Sequence, residues 1–147
     1  MKIYLDTCCL NRPFDDQRQP RVRLESEAVT LILEKIHQQE WEWLGSDALV
    51  YEIEQTVDTE RKERLTLLAG ASNQTVEMTD KILEQAEKFV TSGFDEFDAV
   101  HLAFAESGNA DVFLTTDDNL QKTANRSKEM FSFKVINPVT WLEEVLK

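Results

Sequence analysis

Cysteine, histidine, proline and glycine are all scarce in this chain of 147 residues, which has two, two, three and four of them. The two cysteines, Cys8 and Cys9, are adjacent. Neighbouring cysteines rarely bridge without strain, and with no third thiol a disulfide framework is excluded. So few cysteines and histidines also rule out zinc sites of the finger type. No apolar stretch approaches the roughly 20 residues needed to cross a bilayer. The opening Met1-Lys2-Ile3-Tyr4-Leu5-Asp6 meets an acid too early for a signal peptide, so a cytoplasmic protein with no membrane association is expected. Positive charge is short as well: 16 Lys and Arg against 28 Asp and Glu leave −12. That balance should repel nucleic acid, whose affinity comes largely from cations on phosphate. Two readings stay open at this point. Either the acids keep a small domain soluble, or some converge on a metal that supplies the missing positive charge.

What is present is the make-up of one globular domain over residues 1–147, with 41% apolar and 30% charged residues. Short β-prone runs alternate with helical patterns. Lys2 to Asp6 reads as a strand, Asn11 to Asp16 with Pro20 as a loop, and Val22 to Gln38 as a helix with Leu24, Ala28, Leu31, Ile32 and Ile36 recurring at threes and fours. Trp41 to Gly45 is a second strand, and Ser46 caps a helix carrying Leu49, Ile53 and Val57. A polar helix around Arg61 follows, then a strand at Thr75 to Met78 and a helix capped by Thr79 or Asp80 with Ile82, Leu83, Ala86, Phe89 and Val90 turned inward. Phe94 to Glu106 is apolar on most sides and belongs in the middle of the molecule. Strands at Asp111 to Thr115 and Phe133 to Ile136, and a helix opening at Pro138, complete the chain. The alternation predicts an α/β fold of three layers, α/β/α, with a mostly parallel five-stranded sheet. Ligand sites in such folds lie beyond the carboxyl ends of the strands.

Two of those strands end in carboxylates, Asp6 and Asp117, and two further acids sit early in helices that start near the same edge, Glu52 and Asp98. A carboxylate among apolar neighbours, as Asp98 is between Phe97, Ala99 and Val100, needs hydrogen bonds or a cation. Asp117 or Asp118 alone reads equally well as a helix cap, Asp95 and Glu96 as a solvated first turn, and Glu52 alone as a surface residue. The four together predict a carboxylate cluster. Oxygen ligands without imidazole or thiolate suit Mg²⁺ or Mn²⁺, and the chemistry favoured is phosphodiester hydrolysis.

These positions and their contexts resemble the PIN domain, specifically ribonuclease toxins of the VapC type. Leu5-Asp6-Thr7, Val50-Tyr51-Glu52-Ile53, Asp98 leading Ala99 to Ala105, and Leu114-Thr115-Thr116-Asp117-Asp118 are similar to that family's four acidic motifs in order and spacing. The resemblance implies Asp6, Glu52, Asp98 and Asp117 as ligands for Mg²⁺ or Mn²⁺ and as the catalytic acids, with Thr7, Thr115 and Asp118 as secondary candidates. It also implies cleavage of single-stranded RNA, dimerisation, and neutralisation by a cognate antitoxin. Two departures stand out: Cys8 occupies a position where that family often has Asn or Ser, and the net acidity is high for an RNA-binding protein.

Arg12, Arg18, Arg21 and Arg23 follow Asp6 and are candidates to border the acidic site and hold RNA; Lys122, Arg126 and Lys128 form a second basic group after Asp117. His101, one turn after Asp98, reads as a hydrogen-bonded core histidine before a general base, and Phe14 and Trp41 as packing before base stacking. Two further functions remain in play. One is a degenerate module that acts by binding a protein. The other is a phosphatase of the haloacid dehalogenase type, whose second acid would stand where Cys8 is.

Overall fold

The computed structural model describes residues 1–146. Strand β1 (Lys2–Leu5) leads into a short helix α1 (Thr7–Asn11), a 3₁₀ turn at Arg12–Phe14 and the long helix α2 (Pro20–His37). Then come β2 (Glu42–Ser46), α3 (Asp47–Glu54), α4 (Thr59–Ala69), β3 (Gln74–Val76), α5 (Asp80–Thr91) and α6 (Glu96–Ser107). The chain closes with β4 (Val112–Leu114), α7 (Asp118–Arg126), a 3₁₀ turn at Lys128–Met130, β5 (Lys134–Ile136) and α8 (Pro138–Val145). The five strands form one sheet in the order β3-β2-β1-β4-β5, and every pairing is parallel. The expected α/β/α architecture is therefore correct, with the sheet wholly rather than mostly parallel.

Side chains alternate across a strand, so each strand feeds both faces. Ile3, Leu5, Trp43, Val112 and Leu114 pack on one side with Val29 and Ile32 of α2 and Trp141 of α8. Tyr4, Leu44 and Phe113 pack on the other with Phe89 of α5 and Leu102 and Phe104 of α6. At roughly 25 cal/mol per Å² of apolar surface, these two layers supply the main stabilisation of the sheet. Gly108 closes α6 where a Cβ would run into the Leu44 side chain, which lets the helix end sit directly against β2.

Several local expectations differ. The segment after Asp6 is helical from Thr7, because the Asp6 carboxylate caps it. Leu24 is exposed on α2, and Leu83 and Val90 are exposed on α5, whose inward line is Ile82, Ala86 and Phe89. Val57 lies past the end of α3 and is almost wholly in solvent. Phe14 and Trp41 pack as expected, Phe14 against the core and Trp41 on Trp141 at 4.9 Å between centroids.

Candidate active site

Register brings the first pair of site residues together. Leu5 pairs with Leu114, so the next residue on each strand emerges side by side at the carboxyl edge. Thr115 Oγ1 donates to Asp6 Oδ2 at 2.9 Å and accepts the Asp117 backbone N–H at 3.1 Å, fastening the end of β1 to the loop that carries Asp117. Asp6 Oδ1 accepts the Thr7 N–H at 2.9 Å, and Cys8 Sγ lies 3.5 Å from Asp6 Oδ2. Asp117 caps α7 through Oδ1, which accepts the N–H groups of Asn119 (2.9 Å) and Leu120 (3.1 Å). Asp6 and Asp117 are thus both helix caps as well as strand-end acids.

Glu52 and Asp98 come from α3 and α6. Ser46 caps α3 by accepting the Leu49 N–H, which sets the helix so that Glu52 faces α6. There His101 Nε2–H donates to Glu52 Oε1 at 2.6 Å, while its Nδ1 is bridged to Ser46 Oγ by the buried Tyr4 hydroxyl, at 2.5 and 2.7 Å. The same Nε2 is 4.0 Å from Asp6 Oδ1. One buried chain, Ser46–Tyr4–His101–Glu52, therefore joins β1, β2, α3 and α6. Sequence reasoning placed His101 as a satisfied core histidine, and it is one; its contact with Glu52 was not foreseen, and Tyr4 was not singled out at all.

Asp6, Glu52, Asp98 and Asp117 line a single cavity of about 600 Å³, together with Cys8, Tyr51, Gln55 and Phe97. Burial first, then the charges of Asp6, Asp117 and Asp95, push the Asp98 carboxyl up to about 7. Burial alone would also raise Glu52, but the hydrogen bond and charge of His101 outweigh it and hold Glu52 below the usual range. His101 moves the opposite way: burial disfavours its cation, and Glu52, Asp6 and Asp98 more than offset that and raise it. Among the described residues no group of three or more His, Cys, Asp or Glu is gathered into a ready ligand set. The acids ring the cavity without meeting at a point. Their chemistry fits a hard divalent ion nonetheless: the donors are carboxylate oxygens facing one space, and their mutual repulsion is what an ion would relieve. Thr7 Oγ1, buried beside them, has no hydrogen-bond partner.

The remaining candidates are mostly engaged elsewhere. Asp118 pairs with Arg21 at 2.8 Å and does not line the cavity. Arg12 and Arg21 hold the buried Glu25, with Asn137 as its third donor, and Arg18 pairs with Asp16. Of the four arginines only Arg23 has no carboxylate partner among the described residues. A larger cavity of about 850 Å³ lies between α7 and β5 and collects Lys122, Lys128 and Lys134; Arg126 does not line it. Gln121 lines this cavity and its side-chain amide donates to the Asp117 carbonyl, while Asp111 and Lys134 lie toward the amino edge of the strands, where Lys134 pairs with Glu144 at 3.1 Å. No helix among the described residues is long and apolar enough to cross a membrane.

A three-layer sheet protein with an acid-ringed cleft at the carboxyl edge of its strands is the class defined by this geometry. Residues 3–126 match the model of the PIN domain, and the chain belongs to that family. Its fold is similar to VapBC2 from Rickettsia felis, solved bound to a promoter DNA fragment, at 13% identity and TM-score 0.59 over 93% of this chain and 98% of that one. It is also similar to VapBC-1 from nontypeable Haemophilus influenzae, at 15% identity and TM-score 0.60 over 94% and 98%. PAE2754 from Pyrobaculum aerophilum matches at 18% and 0.57 over 99% and 90%. At these identities the likeness is one of fold. Among curated proteins none matches the sequence.

Proposed function

We propose that this protein is a Mg²⁺- or Mn²⁺-dependent endoribonuclease that hydrolyses phosphodiester bonds in single-stranded RNA, acting as the toxin of a toxin–antitoxin pair. The reading extends to a homodimer held in check by a cognate antitoxin. The observation that carries it is the shared cavity of Asp6, Glu52, Asp98 and Asp117, four acids far apart in the chain. Membership of the PIN family and the likeness to VapBC assemblies support it. The same membership leaves the dehalogenase-type phosphatase without support.

These four carboxylates would hold the ion, which when bound stabilises charge on the phosphate and lowers the pKa of a water. The protein's own part is orientation. Thr115 and the Thr7 N–H fix both oxygens of Asp6. His101 keeps a proton on Nε2 toward Glu52 Oε1, so Glu52 stays ionised. Lys122 and Lys128, in the cavity between α7 and β5, would offer the RNA backbone positive charge, whereas Lys134 there is paired with Glu144 at 3.1 Å.

The test is incubation of the protein with single-stranded RNA and Mn²⁺, with EDTA and Asp6→Ala as controls. Cleavage that EDTA abolishes and Asp6→Ala lowers by at least about a hundredfold is expected. Full activity in the mutant, or none on many RNAs, would overturn the proposal, the second result favouring a module that acts by protein binding.

A further inference from the structure

Two aromatic rings stand at the mouth of the acidic cavity with more than half their surface in water: Tyr51 at 53% and Phe97 at 59% exposure. Leaving such rings wet forgoes the gain from burying them. Each immediately precedes a site acid, Tyr51 before Glu52 on α3 and Phe97 before Asp98 on α6. One residue along a helix turns the side chain by about 100°, so an acid aimed into the cavity puts its predecessor on the cavity's rim. Neither ring is in an aromatic pair, whereas Phe89, Phe94, Phe131 and Phe133 are paired in the core. The cavity therefore offers charged oxygens inside and flat apolar faces at its lip. A ligand that matches both carries a metal-seeking anion flanked by planar rings.

We infer that Tyr51 and Phe97 form a stacking platform for unpaired bases on either side of the phosphate seated at the carboxylates. The inference rests on the nuclease reading and deepens it: it makes these rings the reason that the strand must be single. Bases inside a duplex are already stacked and cannot reach a protein ring, whereas every unpaired base has a π-face to offer. The platform sets strandedness and tolerates sequence, because stacking does not read the hydrogen-bonding edges.

The experiment measures binding of a labelled single-stranded oligoribonucleotide to the full chain by anisotropy in Mg²⁺, in an Asp6→Asn background that suppresses cleavage, alongside KM and kcat of the intact enzyme. Tyr51→Ala and Phe97→Ala should each weaken binding about tenfold, the size of one base stack, and raise KM more than they lower kcat. Tyr51→Phe, which keeps the ring, should bind normally. An oligonucleotide lacking bases near its centre should bind the parent and both alanine variants alike. Equal losses on the normal and base-free oligonucleotides, or no loss on either, would overturn the platform. So would alanine variants that change only sedimentation behaviour, which would make the rings a contact between copies of the chain. Ring-dependent binding without any cleavage would instead sink the nuclease reading and leave the platform standing.

Discussion

The Asp98 carboxyl, raised to about 7 against an ordinary 3.8, gives the metal proposal a test that needs no RNA. In the unfolded chain this group loses its proton near the ordinary value, while in the folded protein it keeps it to about 7. Between those pH values the folded state binds more protons, so the contribution of Asp98 to stability falls as pH rises. In EDTA, Asp98→Asn should therefore gain melting temperature relative to the parent between pH 4 and pH 8. Mg²⁺ or Mn²⁺ should narrow that gap at pH 8 by neutralising the neighbouring acids. A gap that is flat in pH and indifferent to the ion would mean that these carboxylates do not confront one another. At this same scale the arginines after Asp6 change meaning, since Arg12 and Arg21 secure the buried Glu25 and are not free for phosphate.

Helices and strands carry the site through their junctions, and the junctions were unevenly legible in the sequence. The strand-end acids Asp6 and Asp117 stood out because a hydrophobic strand that stops at an acid is a visible event. Glu52 and Asp98 stood out less, as acids early in helices that start near the same sheet edge, Asp98 also by its apolar neighbours Phe97, Ala99 and Val100. Tyr51 and Phe97 were missed because aromatic residues in a helical pattern read as core, and only the way α3 and α6 sit at the sheet edge exposes them. The clue that could have found them is their place directly before an acid. Helix α1 was lost to its length: five residues carry too little periodicity to register. Tyr4 was hidden as an ordinary strand residue, though its hydroxyl is the middle of the chain from Ser46 to His101. Tyr4→Phe keeps the ring packing and strands a buried imidazole nitrogen, at a cost of about 1–3 kcal/mol. Chemical denaturation should show that loss, and kcat should fall more than KM as Glu52 loses its orientation. An unchanged kcat would confine the chain to a structural role.

The whole molecule is strongly acidic, and of its 16 cations only Lys122, Lys128 and Lys134 line the cavity between α7 and β5. Charge reversal of Lys122 and Lys128 together should weaken RNA binding at low salt and flatten its salt dependence, by about 0.7 in log–log slope per lost phosphate contact. A slope equal to the parent's would remove the lysine cleft from the RNA path. The central strand carries a further consequence. β1 is made first, yet it must pair with β4, and Asp6 finds its Thr115 partner 109 residues later in the chain. No fragment released early from the ribosome can own the finished acid-ringed cavity. At about 5–20 residues per second, a cell translating this message spends several seconds beside an unarmed chain. Under the proposed function, that delay is a window in which a restraining partner could be in place before any RNA is cut.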